Sequence, residues 1–72
     1  MWRRKQKRPS MGKIERRLAS QPVHEILGWA ETSLFNIGRN LRGGPEGLTD
    51  AEANAEVLLA AIRELRARQA FV

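Results

Sequence analysis

The chain has 72 residues, no cysteine and a single histidine, His24. A chain this short forms one domain at most, and its composition excludes disulfides, thiolate metal sites and a cage of several histidines as sources of stability. The net charge is +5, but five of the thirteen basic residues lie in residues 1–10 and all eight acids lie beyond them. The remainder is neutral, so the chain as a whole is not typical of a nucleic-acid-binding domain.

Residues 1–10, MWRRKQKRPS, are a basic tail that we predict to be disordered in the free protein. Such an arm can bind phosphates without sequence specificity, and its indole can stack on an unpaired base. The candidate nucleic-acid contacts are Trp2, Arg3, Arg4, Lys5, Lys7 and Arg8. The apolar segment of a signal peptide does not follow the tail, so we expect a soluble, cytoplasmic protein and no membrane partner.

Residues 11–72 are predicted to form a single helical domain. A short helix is expected over residues 11–20, because Met11, Ile14 and Leu18 share one helical face. Pro22 disfavours helix at the residue before it and suits the first turn of a new helix. We therefore predict a long helix over residues 22–42.

Apolar residues in the first long helix repeat with alternating steps of four and three residues, which predicts a seam against a second helix. The seam residues are Val23, Leu27, Ala30, Leu34, Ile37 and Leu41, with Ile26 beside them. Residues 43–48, GGPEGL, cannot continue the helix and predict a short loop, which makes the flanking helices antiparallel neighbours.

The second long helix is predicted over residues 49–70. Thr49 and Glu52 have the spacing of a capping box at its start. Its seam against the first long helix is expected to comprise Ala51, Ala55, Leu58, Ile62 and Leu65.

The two long helices carry more apolar surface than one hairpin needs. In the second, a stripe of small residues follows a heptad of its own, and in the first, two aromatic residues and a glycine lie beside the seam. A helix that is apolar around so much of its circumference expects more than one neighbour. The alternative is that the short N-terminal helix covers part of this surface. The candidate residues for partner binding or self-association are Gly28, Trp29, Phe35, Ala53, Val57 and Ala60.

The sequence therefore predicts an all-α fold: an antiparallel two-helix hairpin with a short N-terminal helix, which dimerises into a helical bundle. Catalytic motifs, phosphate-binding loops and metal-ligand spacings are absent from the sequence, so we expect no cofactor and no enzymatic activity. We predict a protein–protein interaction module; the alternative is a nucleic-acid-associated regulator that uses the basic arm on a dimeric body. In size and composition the chain resembles small accessory proteins of bacteriophages, which implies binding to a host or phage protein.

Overall fold

The computed structural model describes residues 11–68, and this part of the chain consists of three helices with no strand. They are α1 (Met11–Ala19), α2 (Val23–Arg42) and α3 (Gly47–Arg68). The predicted all-α class is confirmed. The basic tail of residues 1–10 and the last four residues of the chain lie outside the described residues.

α1 is amphipathic, and it ends where the sequence breaks it. Ile14 and Leu18, four residues apart, are its buried residues. The amides of Ser20 and Gln21 donate to the carbonyls of the last turn, at 3.1 and 3.0 Å, and so close the helix. The Pro22 carbonyl then accepts the first hydrogen bonds of α2, so α2 begins directly after this proline.

The connection between α2 and α3 depends on glycine at two positions. Gly44 has a φ of 84°, in the left-handed region that glycine adopts without steric cost. Gly47 lies against the end of α2, where a Cβ would overlap the carbonyl oxygen of Asn40 and stand 2.8 Å from its carbonyl carbon. This close approach of two backbones fixes how the ends of α2 and α3 meet.

α3 begins two residues earlier than the sequence predicts. It already includes Gly47, so Thr49 and Glu52 lie inside the helix and the predicted capping box is wrong. The amide of Gly47 donates to Gly44 and that of Leu48 donates to Pro45, at 2.9 and 3.1 Å. The loop backbone therefore leads directly into the helix and takes over the role expected of the cap.

α2 and α3 pack along their lengths and run in opposite directions. Near the loop, the Asn54 side-chain amide donates to the side-chain oxygen of Asn40 at 3.1 Å. At the far end, Ile26 lies in one buried cluster with Ala61 and Leu65. The C-terminal end of α2 thus packs against the N-terminal end of α3, and the N-terminal end of α2 packs against the C-terminal end of α3.

The buried line of α2 differs from the predicted seam. Ile26 and Ser33 are its buried residues, whereas three leucines of the predicted seam are exposed. These leucines are Leu27, Leu34 and Leu41. The rest of the predicted seam, Val23, Ala30 and Ile37, stays half-buried, so the buried side of α2 is shifted toward Ile26 and Ser33 by less than one residue position. The small Ser33 lets α3 approach, and Asn40 takes part in the hydrogen bond across the helix pair.

The molecule is thin. Its Cα atoms extend over 44 × 31 × 14 Å. Two helix layers packed 8–10 Å apart measure about 13–15 Å between their outer Cα atoms. The fold therefore has two layers, the α2–α3 pair and α1, and the side of the pair that faces away from α1 forms the outside of the molecule.

Candidate protein-interaction surfaces

α1 lies on one face of the α2–α3 pair and packs mainly against α3. Trp29 of α2 and Val57 of α3 pack against the buried cluster that includes Ile14 and Leu18 of α1. Ala60 of α3 belongs to the same cluster and is 6% exposed. We call the surface formed by Trp29, Val57 and Ala60 the covered face.

Polar contacts at both edges of α1 reinforce this arrangement. The Arg17 guanidinium lies 5.8 Å from the centroid of the Trp29 ring, within the range of a cation–π interaction. At the C-terminal end of α1, Nη2 of Arg68 donates to the carbonyl oxygens of Leu18 and Ala19, both at 3.0 Å. Nε of the same arginine bonds Glu64 at 2.7 Å. α3 thus caps α1 through a cation held in place by a carboxylate.

The predicted stripe of small residues lies partly beneath α1. Ala60 is buried, while Ala53 and Val57 are half-buried. α1 occupies the Ala60 part of the stripe, in agreement with the alternative in which the short helix covers it. Self-association through the rest of the stripe stays a prediction.

Phe35 lies on a different surface, on the back of α2. Its side chain is 64% exposed, and the Arg39 guanidinium lies 5.9 Å from its ring centroid. The ring borders a shallow indentation with a volume of about 270 Å³, which Leu34 and Gly38 also line. A Cβ at Gly28 or Gly38 would meet no described atom within 4 Å, apart from those of its neighbours and its own helix backbone. Contacts within the described chain therefore do not require glycine at these positions, and a role in partner binding stays a prediction.

Most of the exposed large apolar residues lie on the side of α2–α3 that faces away from α1. Each helix contributes one residue per heptad to it, and all but Ala55 are among the exposed large apolar residues. The residues of this open face are Leu27, Leu34 and Leu41 of α2 and Leu48, Ala55 and Ile62 of α3. Leu34 is the most exposed of its large side chains, at 61%.

Helix geometry places these two rows on the same side of the pair. On α2, Trp29 and Leu34 lie about 140° apart around the helix axis, and Trp29 packs against the cluster that contains α1. On α3, Ala60 and Ile62 lie about 160° apart, on opposite sides of the buried Ala61. Both rows therefore point away from α1.

Among residues 11–68, the surface charges form no group that could hold a metal ion. His24, the single histidine, is 80% exposed at its side chain and lies 3.6 Å from the carboxylate of Glu25. Within residues 11–68, no group of three or more acidic or histidine side chains is placed to hold a metal ion. In the same range, no helix is long and apolar enough to cross a membrane. The predicted nucleic-acid contacts of the tail lie outside the described residues.

Known proteins add nothing to this description. The chain matches no protein-family model, no curated protein and no solved structure.

Sequence reasoning missed the open face because its leucines were assigned to the helix–helix seam. A signal was nevertheless present. Positions 27, 34, 41, 48, 55 and 62 follow one another at intervals of seven, across the loop, and each is apolar. Such a repeat identifies one surface line on each helix, but it does not say which partner that line faces.

Proposed function

We propose that this protein is a non-enzymatic interaction module that presents apolar helical surfaces to another polypeptide. One observation carries the proposal: large aliphatic and aromatic side chains remain 37–64% exposed, while Leu18 and Ile26 are the largest fully buried ones. Scattered apolar residues are normal on a protein surface, but a continuous apolar patch marks an interaction site. The open face is such a patch.

The proposed mode of binding is the packing of helices side by side. The open face consists of two helix rows at heptad spacing, which accept the side chains of a further helix or helix pair between them. Dimerisation of the α2–α3 hairpin into a helical bundle is the simplest form of this mode. Phe35 offers a second anchor on the back of α2, beside Leu34.

Site-specific photo-crosslinking tests the proposal. A photoreactive phenylalanine analogue is placed at position 34 or 35 of the full chain, and at the exposed acidic position 15 of α1 as the control. After irradiation in cells, we expect covalent adducts with a polypeptide, either this chain or another, from position 34 or 35 and not from position 15. Adducts at equal yield from all three positions, or from none, would contradict an apolar interaction surface.

A nucleic-acid-associated regulator is the second candidate, and the basic residues of α1 favour it. Lys13, Arg16 and Arg17 are exposed on the helix that directly follows the basic tail. Together they extend the tail's positive charge onto the folded body.

Binding of the full chain to a short DNA duplex and to a single strand, at two salt concentrations, tests this reading. A tail-based contact weakens steeply as salt rises, and replacing Arg16 and Arg17 with glutamine weakens it further. An affinity that does not change with salt concentration, or no binding at low salt, contradicts the regulator hypothesis.

A further inference from the structure

The open face has the composition and the repeat of an interface between helices. Leu34, Leu41 and Leu48 are 61%, 54% and 55% exposed, and Ile62 is 44% exposed. The floor between the two rows is also apolar, with the half-buried Leu58 within it. A helix pair with apolar rows at steps of seven matches the period of left-handed helical bundles.

We propose that the open face is covered by a second copy of this chain, stacked so that α2 of each copy lies on α3 of the other. The inference rests on the proposed function and names its partner. The two copies are related by a twofold axis that runs parallel to the helices and within the interface. Four helices then surround one core, and α1 of each copy lies on the outside.

At the central layer of the open face, side-chain size favours this arrangement over the other symmetric one. With the axis parallel to the helices, Leu34 of one copy packs on Ala55 of the other, so a large side chain enters the space above a small one. With the axis perpendicular to the helices, Leu34 packs on its own equivalent and Ala55 on its own. That pairing puts large against large and leaves a gap at the alanines, whereas well-packed layers alternate large and small residues.

The dimensions of the face are sufficient for a dimer. Two helices of about 20 residues, side by side, present a surface about 30 Å long and 20 Å wide, or about 600 Å² per copy. A dimer buries about 1,200 Å² in total, at the lower end of the range for specific interfaces. The basic tail is a poor substitute for the second copy, since five of its ten residues are charged and burying unpaired charge is costly.

The solution mass of the full chain gives the first test, with two adjacent substitutions as a matched pair. Leu34 and Phe35 are 61% and 64% exposed on the same helix, but only Leu34 belongs to the open face. We expect the wild-type chain and Phe35→Lys to sediment at twice the monomer mass of 8.2 kDa. In a dimer of Leu34→Lys chains, two charged side chains would be buried in the interface. We therefore expect the dissociation constant of this dimer to be at least about 100-fold higher than that of the wild-type dimer.

Cysteine pairing gives the second test, and the chain has no cysteine that would interfere. Leu34→Cys chains are mixed with Ala55→Cys chains under mild oxidation. We expect disulfides between the two variants, because the proposed stacking brings these positions together, and little disulfide within either variant alone. Each single variant has one cysteine, so a bond within one chain cannot form.

Three results would overturn the inference. If the wild-type chain is monomeric at high concentration, a second copy does not cover the open face. If Phe35→Lys dissociates the dimer and Leu34→Lys does not, the dimer forms through another surface. Disulfides that form faster between identical Leu34→Cys chains than in the mixture show the perpendicular axis. In each case photo-adducts from position 34 or 35 with this chain or another polypeptide would still support the proposed function. A failure of the proposed stacking is therefore distinguishable from a failure of the proposed function.

Discussion

The two faces of the α2–α3 pair differ in the side chains that α3 contributes as well as in their cover. On the covered face, Ala60 and its buried neighbour Ala61 let α1 approach closely, beside the ring of Trp29 from α2. On the open face, leucines and an isoleucine project outward at heptad intervals. Small residues of α3 thus mark the contact that the chain makes with its own short helix. Large exposed residues mark the surface that another chain is expected to cover.

The nine residues of α1 explain why only one face is covered. A helix this short is about 14 Å long, less than half the length of the 22-residue α3. It supplies two buried side chains, Ile14 and Leu18, and both are used on the same side. The chain therefore has no further described element with which to cover the open face.

The largest expected effect is the difference in the free energy of unfolding between truncating a leucine of α1, which packs on the covered face, and truncating a leucine of the open face. Leu18 is fully buried, so Leu18→Ala should lower the free energy of unfolding by about 2–5 kcal/mol, through lost burial and the cavity left behind. Leu34→Ala should change the stability of the monomer by less than about 0.5 kcal/mol, because the side chain is 61% exposed. Urea unfolding monitored by circular dichroism, at a concentration below that of any association, measures both.

The total stability of such a small domain is of the same order as the expected loss, at about 0.05–0.15 kcal/mol per residue. Leu18→Ala is therefore expected to be partly unfolded even without urea. Equal losses in the two variants at low concentration would show that Leu34 is packed within the monomer, and the contrast between the faces would fail.

Two glycine-to-alanine substitutions separate the scaffold of the hairpin from its surfaces. Gly47→Ala places a Cβ on the Asn40 carbonyl, so the ends of α2 and α3 must move apart, at an expected cost of about 1–3 kcal/mol. Gly38→Ala, inside α2 and facing open space, should stabilise the helix by about 0.5–1 kcal/mol. Thermal unfolding of both variants gives the signs directly. A Gly47→Ala protein as stable as Gly38→Ala would contradict the close backbone approach.

Much of the fold could be predicted from the sequence because strong local signals separate the helices. Pro22 and the glycines of the loop end α1 and α2 within one or two residues of the predicted positions. Such residues act on the backbone directly, and their effect does not depend on packing. The start of α3 was harder to predict from the sequence. Thr49 has the right spacing for a cap, but the carbonyls of the loop already accept the hydrogen bonds of the first turn.

The choice of buried row could not be predicted, because two overlapping heptads compete on α2. One contains Leu27, Leu34 and Leu41, and the other contains Ile26, Ser33 and Asn40. By hydropathy alone the leucine row is the better core. Close packing beside Ser33 and the side-chain hydrogen bond from Asn54 to Asn40 favour the polar row instead. Both depend on tertiary contacts that hydrophobic periodicity does not encode.

The smallest expected effect concerns the attachment of α1, and it tests whether the covered face can be opened. Arg68→Gln removes the two hydrogen bonds to the carbonyls of Leu18 and Ala19 and the bond to Glu64, and should cost about 1 kcal/mol, since these groups are partly exposed. Arg66→Gln is the control, with the same change of charge in the same exposed last turn of α3.

Amide hydrogen exchange locates this loss. Because Arg68 joins α3 to α1, exchange should accelerate at the α1 amides that are protected by the helix, while the amides of α2 around Ser33 keep their protection. Such local opening would expose Trp29 and Ala60 and make the covered face resemble the open one. Acceleration spread evenly over all three helices would mean that the whole fold is destabilised, and the same change in Arg66→Gln would mean that the lost charge, not the lost hydrogen bonds, is the cause. Unchanged exchange in α1 would mean that its apolar side chains alone hold it in place.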